Sequence, residues 1–375
     1  MNSPLGDGTI PVNRPCLPPA ERILPYLREI DSTRRYSNFG PLHSRLEIRL
    51  AEHHGVHAGN LALASSGTAA LVALIQALIP TQAENKRLCL CPSYTFLGTG
   101  AAARLCGLEP FLLDVDPITW ALNPDTLEQH AELEWAALVL VVAPYGRPPD
   151  FVRWEEFSQR TGIPVIVDAA ACFDAIDASA VVRGTIPLAM SLHATKTFST
   201  GEGGMLLAAD PALIDRASRA LNFGFQNDRT SVGPCFNGKM SEYHAAVGLA
   251  ELDGWATKRE QFIAAGQAYA CHGERQGWNQ ALHVRVDRAS PYACFLAPTQ
   301  EQATTLAAAL SRKGIGWRRW YGGGLHQQPS FRDCQADSMI NTDELAWRLI
   351  GLPMFPGLSP QAVATIADVI QSSLL

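Results

Sequence analysis

The chain has 375 residues, 47% hydrophobic and 18% charged, with a formal net charge of −6, ordinary values for a globular protein large enough to bury a core without disulfide or metal staples. The acidic balance leaves no basic footprint, which argues against a nucleic-acid partner and requires any anionic ligand to be held by a local pocket. No charged n-region followed by an apolar stretch opens the chain, and its longest apolar run, 136–143, falls far short of the roughly 20 residues of a membrane helix, so a cytoplasmic protein without membrane contact is expected. In chain order, residues 1–41 carry seven prolines and read as an extended arm with a short helix near 20–30. From Leu42 the spacing Leu42, Leu46, Leu50 predicts a helix that Gly55 ends. Short apolar runs then alternate with helical segments. Strands are predicted at 61–64, 87–91, 110–115, 137–143, 164–168, 189–193 and 205–208. Helices are predicted at 68–79, 95–106, 125–130, 151–160, 211–222 and 241–253. This alternation argues for a mostly parallel seven-stranded sheet sandwiched by helices.

From about residue 256 the pattern changes to a long helix, hairpin-like strands at 282–286 and 292–297, a helix at 301–313 and two further helices to the end. The expected division is an arm (1–41), a large domain (42–255) and a small C-terminal α+β domain (256–375). The nine cysteines form no CxxC pair, which suits free thiols in a reducing compartment; Cys89 and Cys91 flank one leucine, too little for a metal site.

Three features carry chemistry. Ser65-Ser66-Gly67-Thr68 stands between a strand and an apolar helix, where free N–H groups and small residues suit a phosphate, although the same residues make an ordinary helix cap. Asp168 closes an apolar strand, where open α/β sheets bind ligands. Opposite a pyridine nitrogen it would keep that nitrogen protonated; as a plain residue it would cap a helix. Lys196 follows another strand and precedes the glycine-rich turn Gly201-Glu202-Gly203-Gly204. A desolvated amine there would be a nucleophile, whereas an ordinary lysine would lie in solvent. The three occur in order, each at a strand end, so one sheet can aim them at one cavity. No GxGxxG follows the first strand, which argues against a dinucleotide-binding dehydrogenase.

At these residues the chain resembles the DegT/DnrJ/EryC1/StrS sugar aminotransferases, which are fold-type-I pyridoxal-phosphate enzymes. The resemblance runs from about Tyr36 to the C-terminus. It includes Asn38 to Leu42 with Glu47, Ser66-Gly67-Thr68, Pro92 to Phe96, Asp114-Val115-Asp116, Asp168-Ala169-Ala170, Ser191 to Gly204, Asn237 with Lys239 to Glu242, and Leu352-Pro353. It implies pyridoxal 5'-phosphate held as a Schiff base on Lys196, which would also move protons. Asp168 would pair with the pyridine nitrogen, and Gly67, Thr68 and Ser191 would hold the phosphate. Phe96 would stack on the ring, with a core aromatic as the alternative. Asn237 would reach the neighbouring subunit's cofactor, making a homodimer the working unit, and Glu202 would brace the glycine turn.

The sequence departs from the family at three places. Ala171 stands where a Gln or His is usual, Gly238-Lys239 replaces Tyr-Arg after Asn237, and Leu192 replaces a common Phe. The implied reaction is transamination from an amino donor, L-glutamate, to a 4-keto-6-deoxy nucleotide sugar. A 3-keto sugar, a keto-cyclitol and a non-catalytic regulatory protein are the alternatives. Trp317 to Tyr321 and His326 offer aromatic and basic contacts for a nucleotide, with Arg318 and His326 as candidate substrate residues; Trp317 and Trp320 would equally serve as domain packing. No metal is expected.

Overall fold

The computed structural model describes residues 9–79, 86–176, 184–225 and 228–374. Seven strands form the larger sheet: β1 (Leu61–Ala64), β2 (Leu88–Pro92), β3 (Glu109–Leu113), β4 (Ala136–Val142), β5 (Val165–Asp168), β6 (Leu188–Ser191) and β7 (Gly204–Leu207), in the order β1-β7-β6-β5-β4-β2-β3. Only β7 is antiparallel to its neighbours, β1 and β6. Nearly every strand residue is buried, as expected of parallel strands covered on both faces. One face packs Ala70, Leu74 and Leu213, while the other packs Leu46, Trp154 and Phe262. The mixed α/β architecture expected from the sequence is the one observed.

The arm carries the expected helix near 20–30, extended to residue 33, and its stretch ahead of the helix is docked. Its first eight residues lie outside the described set, and 20–33 form a full helix, α1 (Ala20–Thr33), that carries Pro25 internally and buries Ile30 completely. Ahead of it, Ile10 bridges Ile315, and the Val12 carbonyl accepts from the Met354 N–H at 3.0 Å. Asn13 Nδ2 donates to the Thr195 carbonyl at 3.4 Å. The arm is therefore docked rather than free.

The C-terminal part starts with the helix Trp255–Gln276 and forms a second, antiparallel sheet in the order β10-β9-β8 (Leu349–Leu352, Ala293–Leu296, Leu282–His283). The expected strands 282–286 and 292–297 shorten to two and four residues. Strand β10 was not anticipated, because four apolar residues directly after the helix Ile340–Arg348 carry no turn signal of their own. Among the described residues no helix is long and apolar enough to cross a membrane.

Candidate active site

The carboxyl ends of β1, β2, β4, β5 and β6 open onto one cavity of about 440 Å³, the usual place for a ligand in an open α/β sheet. On one wall β1 ends in Ser65-Ser66, and the helix Gly67–Leu78 begins with the Ser66 hydroxyl accepting from the Ala69 N–H at 3.1 Å. The cap leaves the Gly67 and Thr68 end of the helix facing the cavity, where N–H groups and the helix dipole favour an anion. A Cβ on Gly67 would stand 2.9 Å from the Ser191 Cβ, so only glycine lets β1 and β6 close the cradle.

Asp168 lies at the end of β5, buried. Its Oδ2 accepts from the Thr99 hydroxyl at 2.7 Å, and Thr99 in turn pairs with Thr95 at 2.8 Å. The Ala170 N–H donates to Oδ1 at 3.2 Å. Burial pushes this carboxyl up, opposed by the Thr99 and Ala170 hydrogen bonds and the nearby Lys196 charge. A buried anion held by two neutral donors gains from a further cation or N–H on its open side.

Lys196 projects from a tight loop. Its backbone N–H donates to the His193 carbonyl at 2.8 Å, and the Ala194 N–H donates to the Gly201 carbonyl at 2.8 Å. The glycine turn is required sterically: a Cβ on Gly204 would fall 2.1 Å from the Ser66 carbonyl oxygen. Glu202 Oε1 sits 3.6 Å from His193 Nε2 and lines the cavity. The Lys196 ammonium contacts Tyr292 Oη at 3.3 Å.

Of the residues marked in the sequence, the cavity gathers Gly67, Thr68, Phe96, Asp168, Ser191, Lys196 and Arg318. Phe96 is exposed at the mouth, not packed in the core. Two lie elsewhere. Asn237 is exposed and pairs through its backbone with Asn222. His326 is used internally: Nδ1 meets Ser93 Oγ at 2.7 Å and Nε2 meets Asp343 Oδ1 at 3.1 Å, so it does not line this cavity. The aromatic pair divides. Trp320 lines the cavity beneath Arg318, whose guanidinium is 5.2 Å from its ring centroid, while Trp317 packs outside and donates to Ser311 Oγ at 2.9 Å. Thr95 and His193 lie inside motifs quoted from the sequence but were not singled out, and Tyr292 and Thr99, the latter on the helix Leu97–Leu105, were unmarked, because a single polar residue has no periodicity to betray it.

The departures also have local causes. Ala171 lines the cavity, leaving room where a longer polar side chain would stand. At Gly238 a Cβ would approach Leu221 Cδ2 to 2.5 Å and the Phe236 ring to 2.6 Å, so the local packing takes no side chain. Lys239 lies 4.7 Å over the Phe223 ring, away from the cavity.

Comparison with known proteins adds a second line of observation. The sequence profile of the DegT/DnrJ/EryC1/StrS aminotransferase family matches residues 19–371. The dTDP-4-amino-4,6-dideoxy-D-glucose transaminase of Escherichia coli is 31% identical over 98% of this chain and 99% of its own. A putative PLP-dependent aminotransferase from Bacillus cereus ATCC 10987 superimposes with a TM-score of 0.86 at 28% identity, over 96% of this chain and 99% of that one. DesI, crystallised with its TDP-sugar product, gives a TM-score of 0.85 at 26% identity, over 99% and 94% of the two chains.

Proposed function

The chain belongs to the DegT/DnrJ/EryC1/StrS aminotransferase family and is a pyridoxal-phosphate-dependent aminotransferase, and from that premise we propose that it transfers an amino group from L-glutamate to a nucleotide-linked keto sugar, with Lys196 as the cofactor's covalent anchor. The observation that carries this reading is the meeting of an amine, a buried carboxylate and an anion cradle in one cavity. The donor set fits the cofactor: Gly67 leaves space that a Cβ would fill, and Asp168 keeps an open side in a low-dielectric wall. Residues 42–255 serve as the cofactor-binding domain and 256–375 as the smaller domain that covers it.

When bound, the cofactor supplies an aldehyde that links to amines and a ring that withdraws electrons once its nitrogen is protonated. Asp168 would keep that nitrogen protonated, because a buried carboxylate favours a cationic partner. Gly67, Thr68 and Ser191 would hold the phosphate through helix-terminal N–H groups and hydroxyls. Phe96, exposed at the mouth, would offer its ring to the cofactor. Lys196 would anchor the cofactor and, as an amine lining the same cavity, would serve as general base and acid at the substrate carbon. Exposed Asn237, which does not line its own cavity, suits use across a homodimer interface in the partner's site. Arg318 on Trp320 offers a charge and a stacking surface to an anionic substrate.

The E. coli relative, a dTDP-4-amino-4,6-dideoxy-D-glucose transaminase, supports a 4-keto-6-deoxy sugar as the acceptor class. The test has two stages. Lys196→Ala should lose covalent cofactor retention and its visible absorbance, and a variant that kept both would sink the anchor assignment. Wild-type enzyme loaded with L-glutamate should regain the original absorbance with 4-keto nucleotide sugars; recovery only with 3-keto sugars or keto-cyclitols would move the acceptor, and no response to any amino donor would favour a non-catalytic role.

A further inference from the structure

The side chain of Lys196 has one hydrogen-bond partner among the described residues, Tyr292 Oη at 3.3 Å, and its Nζ lies 5.7 Å from the same ring's centroid. The two residues come from different sheets. Lys196 follows β6, whereas Tyr292 immediately precedes β9, the central strand of the C-terminal sheet. Tyr292 is fixed on several sides. Tyr145 packs edge-on at 5.3 Å and 86°, Trp320 does so at 5.3 Å and 75°, and the Tyr292 N–H donates to the buried Ser290 hydroxyl at 3.3 Å. Tyr145 is itself held in the left-handed region at φ 54°, a strained position for a tyrosine that is maintained by its contacts. Its hydroxyl pairs with Tyr94 at 2.9 Å, and its N–H donates to Tyr321 Oη at 3.3 Å. A phenylalanine at 292 would satisfy the edge-on packing equally well. The hydroxyl is the part that packing does not require, and it meets the amine.

We propose that Tyr292 is the positioning residue for Lys196, holding its amine toward the cavity whenever the cofactor does not. A lysine has several rotatable bonds, and its amine must return to one place in each half-reaction. A tyrosine hydroxyl accepts from an ammonium group and donates to a neutral amine, so the contact survives both gain and loss of the proton. The nearby ring adds attraction for the charged form. Because Tyr292 comes from the second sheet, the lysine is held correctly only when that sheet is docked.

The inference rests on Lys196 being the anchor, and the experiment separates the two. Borohydride reduction of the loaded wild-type protein, followed by peptide mass spectrometry, should find the cofactor on Lys196; a label on another residue overturns the anchor and this inference together. With the label at Lys196, Tyr292→Phe tests the inference alone. Capture of pyridoxal phosphate by the cofactor-free variant, followed by stopped-flow absorbance, should slow about tenfold. Its thermal midpoint and its affinity for pyridoxamine phosphate, which cannot link to the lysine, should stay unchanged. A capture rate within about twofold of wild type overturns the proposal. If the variant folds poorly, 3,5-difluorotyrosine in place of Tyr292 keeps the shape and hydroxyl with a more acidic phenol. The alkaline limb of the capture rate should then move to lower pH, and an unmoved limb overturns the proposal.

Discussion

Asp168 and His54 illustrate what burial does to single side chains. Asp168 has donors and a cavity, so its raised carboxyl is available for a ligand. His54 has neither: it is buried edge-on against Phe173 at 5.0 Å, with Nε2 unpaired. Burial, with His53 as the lesser cause, holds its imidazole down at about 3. The unfolded chain takes up this proton near 6.5, so between those limits acid favours unfolding. The stability from neutral His54 is complete above the unfolded value and lost as pH falls toward the folded one, by up to about 1.4 kcal/mol per pH unit. Glu47 has the opposite sign. Burial raises it to about 7, against a backbone hydrogen bond from Leu63 that lowers it, so its contribution is present below 4.5 and lost as pH rises through about 7. His54→Gln is expected to lose less stability than wild type between pH 7 and pH 4 in urea titrations; equal losses would remove His54 as a cause of acid sensitivity.

Among the elements, α1 is the short helix expected inside a proline-rich stretch. Five prolines precede Pro25, and Pro25 itself lies within the helix without an N–H to give. The helix nevertheless forms because it packs against the helix Glu242–Asp253 and buries Ile30, and tertiary packing outweighs propensity. Its outer face is pinned as well: Tyr26 Oη donates to Asp253 at 2.7 Å, and Arg45 forks onto Glu29 at 2.7 and 3.1 Å. Ile30→Ala should cost about 2–4 kcal/mol in denaturant unfolding. A loss below about 1 kcal/mol would mean that the helix is only loosely docked.

For the molecule as a whole, the site depends on surfaces that no single element contains. Asp174, just beyond the β5 end, receives Arg259 at 2.8 Å and the Ala289 N–H at 2.6 Å, tying the second sheet's approach to the first. That link brings Tyr292, Arg318 and Trp320 over the cavity. Across a homodimer, the proposed role of Asn237 gives a complementation test. Asn237→Ala alone should weaken pyridoxal phosphate binding about tenfold. Mixing Asn237→Ala subunits with Lys196→Ala subunits should restore one intact site per mixed dimer, detected as regained transamination. No regain from a mixed dimer isolated by two affinity tags would place Asn237 outside the partner's site.

The sheet and most of the cavity-lining residues were legible in the sequence because each has a local cause. Buried parallel strands must be apolar throughout, and a ligand site at strand ends puts Ser66-Gly67-Thr68, Asp168 and Ser191 to Lys196 directly after such runs. Side chains whose roles come from contacts across long chain separations were not. His326 looked like a substrate residue but is bound at both ring nitrogens by Ser93 and Asp343, and Tyr292 looked like the start of a strand but meets Lys196, 96 positions away. Sequence alone determined what the strands and the glycine turn must be, since periodicity and steric limits act between neighbours. Only the tertiary structure decided that Tyr292 joins this cavity and His326 stays out of it, because contacts between distant parts of the chain depend on distance in space, and no spacing along the chain encodes that.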